Sequence, residues 1–188
     1  MKRWQIVTVI AGLVLALAVV NALVFARERL LRDGQVVLLE LAPVDPRSLM
    51  QGDYMALDYA LARELTPAGV GNMDAPPRPN ADGYAILALD GNGVARLVRE
   101  QPAATPREAG QVALEFRRRG LTATIASNAW FFAEGTAAQY EPARYGELRV
   151  GNDGKALLTG LRDVAFRPLG SSPLPAAREP ERLRDPRG

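Results

Sequence analysis

The longest uncharged stretch of the sequence runs from Trp4 to Ala26 and is dominated by Ile, Val, Leu and Ala. At roughly 1.5 Å per residue, a helix of this length spans the ~30 Å hydrocarbon core of a bilayer with some tilt. Because no water reaches the backbone amides there, a spanning segment must be helical. The stretch therefore predicts a transmembrane helix, and residues 4–26 make the lipid bilayer the first partner of the chain.

A cleaved signal peptide is the alternative interpretation of this stretch, since Val24 and Ala26 are small residues just before Arg27. The apolar run is much longer than the roughly 7–15 residues typical of a signal peptide, which favours a retained anchor. Charge does not decide the orientation of that anchor, because both ends of the run carry basic residues. These basic residues are Lys2, Arg3, Arg27, Arg29 and Arg32.

The composition excludes several classes of protein. The chain has 23 basic and 21 acidic residues, so its small net charge of +2 predicts no nucleic-acid binding. It contains neither cysteine nor histidine, which removes the Ser-His-Asp and Cys-His triads and the common zinc and iron–sulfur ligand sets. We therefore predict no catalytic residues, no metal site and no cofactor.

Beyond the connector that ends at Asp33, short apolar or alternating runs separated by Gly, Asn, Asp and Pro predict a series of strands. The first, residues 35–44, is apolar on both faces and is interpreted as a central strand. The others are residues 52–59, 84–89, 94–99, 111–117, 122–125, 129–133, 147–150, 155–161 and 163–168. Hairpin turns are expected at residues 90–93 and 151–154, because Asp-Gly and Asn-Gly supply positive φ values.

The phrase Gly52-Asp53-Tyr54-Met55-Ala56-Leu57-Asp58-Tyr59 is the most distinctive in the chain. Period-two alternation predicts Met55, Leu57, Tyr59 and Leu61 on a core face and Tyr54, Ala56, Asp58 and Ala60 on the opposite face. The candidate site therefore comprises Gly52, Asp53, Tyr54, Leu57, Asp58 and Tyr59, with Arg47 as a possible ion-pair partner of Asp53 or Asp58. A structural role for the motif and a ligand-binding role both stay open.

The G-D-Y-x-x-L-x-Y pattern after P-x-D-P-R-S-L resembles the signature of the GDYXXLXY family, with Gly52, Asp53, Tyr54, Leu57 and Tyr59 matching position for position. The stretch from Phe132 to Val150 is also similar to that family. The resemblance implies a membrane-anchored protein of unknown function, commonly encoded beside multi-span membrane proteins. It also contributes to the expectation that the domain after the anchor lies outside the cytoplasm.

The expected fold class is α+β, mostly β: one N-terminal transmembrane helix, then a β-rich domain of antiparallel hairpins with one short helix. The domains are an anchor and connector (1–33), a β-rich extracytoplasmic domain (34–169) and a disordered Pro- and Arg-rich tail (170–188). A long exposed loop is expected over residues 66–83 and a helical turn or two after Thr136. Residues 117–119, three arginines, are interpreted as the solvated end of a strand.

Two functions are compatible with these features. The first is a non-catalytic binding or assembly module, single-pass in the bacterial inner membrane, that works with a multi-span partner in the envelope. The alternative is an envelope enzyme or small-ligand receptor with its site near Gly52–Tyr59. Residues 46–53 resemble a phrase of type I signal peptidases, but the serine that precedes that phrase is missing, and a Ser48–Lys155 dyad is the only replacement the sequence offers.

Overall fold

The computed structural model describes residues 3–42, 50–51, 54–66, 80–105, 107–120 and 122–170. Within these residues a long apolar helix precedes a set of antiparallel sheets and one short α-helix, which confirms the predicted fold class. All of the predicted tail at residues 170–188 except Gly170, and most of the predicted loop at residues 66–83, lie outside the described residues.

The elements follow one another along the chain as two helices and eleven strands in the described residues. They are α1 (Arg3–Asp33), β1 (Gln35–Glu40), β2 (Met50–Gln51), β3 (Tyr54–Ala56), α2 (Ala60–Leu65), β4 (Ala81–Leu89), β5 (Ala95–Gln101), β6 (Gln111–Arg119), β7 (Thr122–Ile125), β8 (Ala129–Phe131), β9 (Tyr145–Val150), β10 (Ala156–Arg162) and β11 (Pro168–Leu169).

Helix α1 contains 31 residues and ends where the domain begins. In the described part of the chain it is the one helix long and apolar enough to cross a membrane, and none of its apolar window is buried against other residues. Its last turn is fixed to the domain through Gly34, whose N–H donates to the carbonyl of Leu30 (2.9 Å) and whose carbonyl accepts from Arg149 (3.2 Å). The helix is compatible with a single-pass membrane anchor.

Three antiparallel sheets form the domain. The first sheet has the strand order β1-β9-β10-β11, the second sheet β5-β4-β6-β7, and the short sheet β2-β3-β8. The first two sheets are joined by main-chain hydrogen bonds from Leu38 to Gly93 (2.9 Å) and from Glu115 to Gly154 (2.8 Å). The fold is thus a β-rich domain whose sheets share one core.

That core is built from the alternating apolar residues of the strands. Its largest fully buried side chains are Val37, Leu39, Leu65, Ile86, Leu87, Leu114, Ile125, Leu148 and Leu161. At about 1.5–3 kcal/mol for each fully buried aliphatic side chain, this cluster is the main source of stability of the domain.

Both predicted hairpin turns are present, and each is closed by an aspartate side chain. Asp90 Oδ1 accepts from the main-chain N–H groups of Asn92 (2.8 Å) and Val94 (3.0 Å), and Asp153 Oδ1 accepts from that of Lys155 (3.2 Å). Gly93 and Gly154 adopt the positive φ values that these turns require, +81° and +85°.

Strand β1 is at the edge of its sheet, so its interpretation as a central strand is wrong. It pairs along its length only with β9, and its other edge makes one isolated bridge, Leu38 to Val94. Val37, Leu38 and Leu39 are nevertheless all buried. β1 is apolar on both faces although only one of its edges pairs with a strand. The second sheet contacts β1 at Val94 and helps to bury it.

One local prediction fails and another is confirmed in part. Residues 163–167 form a turn instead of a strand, because the Asp163 carboxylate accepts from the main-chain N–H groups of Ala165 (2.8 Å) and Arg167 (2.9 Å). The helical turn expected after Thr136 is present as a single 3-10 turn, Ala137–Gln139, but the Thr136 hydroxyl donates to the carbonyl of Ala133 and does not cap the turn.

The three arginines at the end of β6 are not all solvated, as the alternation of the strand explains. Arg117 and Arg119 are exposed, but Arg118 shares the inward face with Phe116 and is 7% exposed. Its guanidinium binds the Glu100 carboxylate (2.9 Å) and the carbonyl of Leu65 (3.0 Å). Arg118 therefore connects β6, β5 and α2.

Candidate functional site

The motif lies on β3 and on the chain that leads from it into α2. Tyr54, Met55 and Ala56 pair with Phe131, Trp130 and Ala129 of β8. Met55, Leu57, Tyr59 and Leu61 are buried, whereas Tyr54, Ala56, Asp58 and Ala60 are partly or largely exposed. The predicted alternation is thus confirmed, and it continues into the first residues of α2.

Tyr59 is the most deeply buried aromatic residue of the motif, at 2% exposure. Its hydroxyl donates to the carbonyl of Ser127 (2.9 Å), and its backbone bridges to Leu41. Gly146 passes so close that a Cβ there would lie 3.0 Å from the Tyr59 ring. Burial raises the pKa of Tyr59 far above its usual value, so the phenol stays protonated and acts as a structural donor.

Asp58 lies on the exposed side of the motif and pairs with an arginine of α2. Its Oδ2 accepts from Nε (3.0 Å) and Nη2 (2.7 Å) of Arg63, and its carbonyl accepts from the N–H of Ala42 (2.7 Å). Both groups of the ion pair are about half exposed to solvent, so the pair orients α2 more than it stabilises it.

An aromatic pair covers the outer face of the short sheet. The rings of Tyr54 and Phe131 lie 5.8 Å apart between centroids with a tilt of 40°. Tyr54 is 36% exposed and Phe131 is 73% exposed. The consecutive aromatic residues Trp130, Phe131 and Phe132 predict three contributors to the core, which is wrong for Phe131. The alternation within β8 was the signal that could have placed it on the surface.

The side chains on the inner side of the short sheet form a separate aromatic cluster. The ring of Tyr140 packs edge-on against Trp130 (6.0 Å between centroids) and stacks on Phe132 (5.4 Å). The indole Nε1 of Trp130 is buried and has no hydrogen-bond partner in the described part of the chain. The sheet that carries the motif therefore has an aromatic inner layer and a smaller exposed aromatic pair.

Comparison with known protein families matches residues 16–161 to the family model described as GDYXXLXY protein. The match covers well over half of the chain and includes the motif and most of the domain. This chain belongs to the GDYXXLXY family. No curated protein and no solved structure shows a significant match to it.

The structure describes only some of the residues of the GDYXXLXY motif. Tyr54, Leu57, Asp58 and Tyr59 are described above. The predicted site residues Arg47, Gly52 and Asp53 lie outside the described residues, as does Ser48. Gln51 of β2 pairs with Tyr54 of β3.

The described residues of this GDYXXLXY protein do not form an arrangement typical of acid–base catalysis. Lys155 is exposed, and its hydrogen bond to Asp153 raises the pKa of Lys155, whereas a lysine that acts as a base needs a lowered one. The carboxylates of Asp82, Asp90 and Asp163 have lowered pKa values because N–H groups bind them, so they remain charged acceptors. Each of these groups serves a turn or an ion pair.

A groove of about 1190 Å³ lies between the end of α1 and the domain. Leu23, Ala26 and Leu30 form its helix side, and Lys155 and Leu158 lie on its domain side. Lys155 forms an ion pair with Asp153 at this groove (3.1 Å). Because Arg27 follows the apolar stretch directly, the groove lies at the end of the apolar stretch of α1.

Proposed function

We propose that this GDYXXLXY protein is a non-catalytic binding or assembly module, anchored once in the bacterial inner membrane, with its β-rich domain on the extracytoplasmic side. The module works with a multi-span membrane protein of the cell envelope. The observation that carries this proposal is the exposed aromatic pair, Tyr54 and Phe131, on the sheet that contains the family motif.

The division of the motif into two faces supports a binding role. Met55, Leu57 and Tyr59 fix β3 to the core, so the outward side chain of Tyr54 is held on a rigid strand. Its neighbour Phe131 is mostly exposed, although burial of a phenylalanine stabilises a protein by about 1.5–3 kcal/mol. Aromatic anchors on rigid elements are typical of the centres of protein interfaces.

The short distance between membrane and domain favours a membrane protein as the partner. Only seven residues of α1, 27–33, follow the apolar stretch, and at roughly 1.5 Å per residue they extend about 10 Å. The hydrogen bonds at Gly34 fix the domain to this helix end. The orientation follows the family resemblance, because both flanks of the apolar stretch are basic.

Affinity purification from gently solubilised membranes tests the proposal. We expect the tagged full chain to recover one multi-span membrane protein reproducibly. Phe131→Ser should reduce this recovery about tenfold or more, because an aromatic anchor is lost. Val164→Ser is the matched control, since Val164 is also exposed (72%) but lies on the turn after β10.

Thermal unfolding of both variants shows whether a loss is specific to binding. The proposal requires that Phe131→Ser unfold at the wild-type temperature while its recovery of the partner falls. Absence of any reproducible membrane protein, or equal recovery by Phe131→Ser and Val164→Ser, contradicts it.

A small-ligand receptor is the second candidate function, favoured by the buried and unbonded Nε1 of Trp130 in the described part of the chain. A ligand with an acceptor oxygen would satisfy this N–H beside Met55 of the motif. The test uses the Trp4→Phe variant, in which Trp130 is the remaining tryptophan. A saturable change of its fluorescence on addition of periplasmic small molecules would favour the receptor, and a constant signal would exclude it for the molecules tested.

A further inference from the structure

Helix α1 carries an amide side chain inside its membrane-spanning stretch. Asn21 is five residues before Ala26, the last uncharged residue of the run, which places it roughly 8 Å inside that end of the hydrocarbon layer. Polar side chains at such a depth are expensive and usually mark a functional contact.

Asn21 is only partly satisfied by its own helix. One N–H of its amide donates to the carbonyl of Leu17 (2.8 Å), and this is its one hydrogen bond in the described part of the chain. An amide has a second N–H and an acceptor oxygen. Lipid tails offer neither a donor nor an acceptor, so these groups require a partner from another protein segment.

The side of α1 on which Asn21 lies is turned away from the domain. The side of α1 that faces the groove carries Leu23, Ala26 and Leu30. At about 100° per residue, Val19 lies on the same side of the helix. Asn21 lies about half a turn away, in line with Val14 and Phe25. The domain therefore does not cover the Asn21 side of the helix.

We propose that Asn21 is the docking point for a transmembrane helix of a different membrane protein, which presents a Ser, Thr, Asn or Gln side chain at the same depth. This inference rests on the proposed function, since it supplies the intramembrane contact of the proposed partner. Ala18, one turn before Asn21, is small and lets the backbone of the partner helix approach.

The charges beyond the membrane favour a different protein over a second copy of this chain. The Asn21 side of α1 continues to Glu28 and Arg32, which pair with each other within one chain (3.5 Å). In a symmetric parallel pair of α1 helices, each of these residues would approach its own copy across the twofold axis. Like charges would then face each other just outside the bilayer, which is unfavourable.

Site-specific cross-linking of the full chain in native membranes tests the docking point. A photoreactive phenylalanine is placed at position 25 on the Asn21 side, or at position 23 on the domain side as the control, and cross-linked peptides are sequenced. We expect position 25 to reach a transmembrane segment of another protein with a hydrogen-bonding side chain within one turn. Position 23 should not reach that segment.

An exchange of two residues gives the matched variant. Asn21→Val combined with Val19→Asn keeps the composition and moves the amide to the opposite side of the helix. We expect the cross-link from position 25 to fall about threefold to tenfold in this variant and to be retained in Asn21→Gln. Insertion of both variants is checked with the same reporter fusion as the wild type.

Three results overturn the docking point: cross-links to a second copy of the chain, cross-links to lipid alone, or an unchanged yield after the exchange. Recovery of a membrane partner by affinity purification together with any of these results leaves the proposed function intact and removes this inference alone. A cross-link that meets the expectation while Phe131→Ser still recovers the partner supports the docking point and contradicts the proposed role of the aromatic pair.

Discussion

Tyr54 and Tyr59 belong to the same motif but contact different parts of the molecule. The Tyr59 side chain is buried and its hydroxyl donates to the backbone carbonyl of Ser127, whereas the Tyr54 ring lies at the surface against Phe131. A family motif can therefore combine residues that fix a strand to the core with residues that the strand exposes at the surface.

Replacement of the buried phenol tests the structural half of the motif. We expect Tyr59→Phe to lower the free energy of unfolding by about 1 kcal/mol, because a partly buried hydrogen bond to the carbonyl of Ser127 is lost. The measurement is chemical denaturation of the detergent-solubilised chain. Tyr145→Phe is the control: the Tyr145 ring stacks on Phe166 (5.0 Å), its hydroxyl has no hydrogen bond among the described residues, and we expect no measurable change.

Asp163 predicts a dependence of stability on pH. Main-chain hydrogen bonds from Arg167 and Ala165 and the ion pair with Arg167 lower the pKa of Asp163 in the folded state. A carboxyl with a lowered folded-state pKa stabilises the fold fully above its unfolded pKa of about 4, and this contribution is lost as the pH falls through the lower value. We expect the unfolding temperature to fall below about pH 4.

The variant Asp163→Asn separates this carboxylate from the others. It should unfold at a lower temperature than the wild type at pH 7, and the difference should shrink as the pH falls below about 4 and the wild-type carboxyl takes up its proton. Glu141→Gln, at an exposed position, serves as the control. A difference that stays constant across this pH range would refute the role of the charge.

At the level of elements, Arg118 joins two strands and a helix through one side chain. We expect Glu100→Ala to destabilise the domain by about 1–3 kcal/mol, because it leaves the buried guanidinium without its carboxylate. Asp82→Ala breaks a slightly shorter ion pair with Arg119 (2.7 Å) in which both groups are exposed, and we expect no measurable change. Equal effects of the two variants in chemical denaturation would show that burial does not set the strength of these pairs.

The hairpins were predictable because their signals are local. Asp90-Gly91-Asn92-Gly93 and Gly151-Asn152-Asp153-Gly154 contain both the side chain that closes the turn and the glycine that takes a positive φ. A local signal also explains the wrong prediction for residues 163–168. Residues typical of strands surround Asp163, but its carboxylate accepts hydrogen bonds from main-chain N–H groups of the same segment and holds it in a turn.

The remaining elements depend on contacts between distant parts of the sequence. Strand β3 pairs with β8, which begins more than seventy residues later, and no local pattern predicts that partner. Helix α2 was missed because alternation from Met55 to Leu61 suggests an extended strand. The spacing of four residues between Leu61 and Leu65, both buried, was the available signal for a helix.

The candidate site shows the same division between local and distant information. Alternation predicted which motif side chains would be buried, and the structure confirms this for Leu57 and Tyr59. The aromatic partner of Tyr54 could not be predicted, because Phe131 comes from the distant strand β8.

For the molecule as a whole, the connection between α1 and the domain decides how the protein can work. A Cβ at position 34 would lie 2.3 Å from the carbonyl oxygen of Leu30, so Gly34 permits the close turn from helix to β1. With no flexible linker between them, the domain is held close to the end of the apolar stretch of α1. In the proposed function, a partner that spans the membrane can therefore contact both α1 and the domain.

The central claim is that α1 is retained as a single-pass anchor with the domain outside the cytoplasm. It is tested by a reporter enzyme active only in the periplasm, fused after Leu169, combined with sequencing of the N-terminus of the mature chain. The account predicts an active reporter on a chain that still contains residues 4–26. A chain that begins at Arg27, or a silent reporter on a stable fusion, would contradict it.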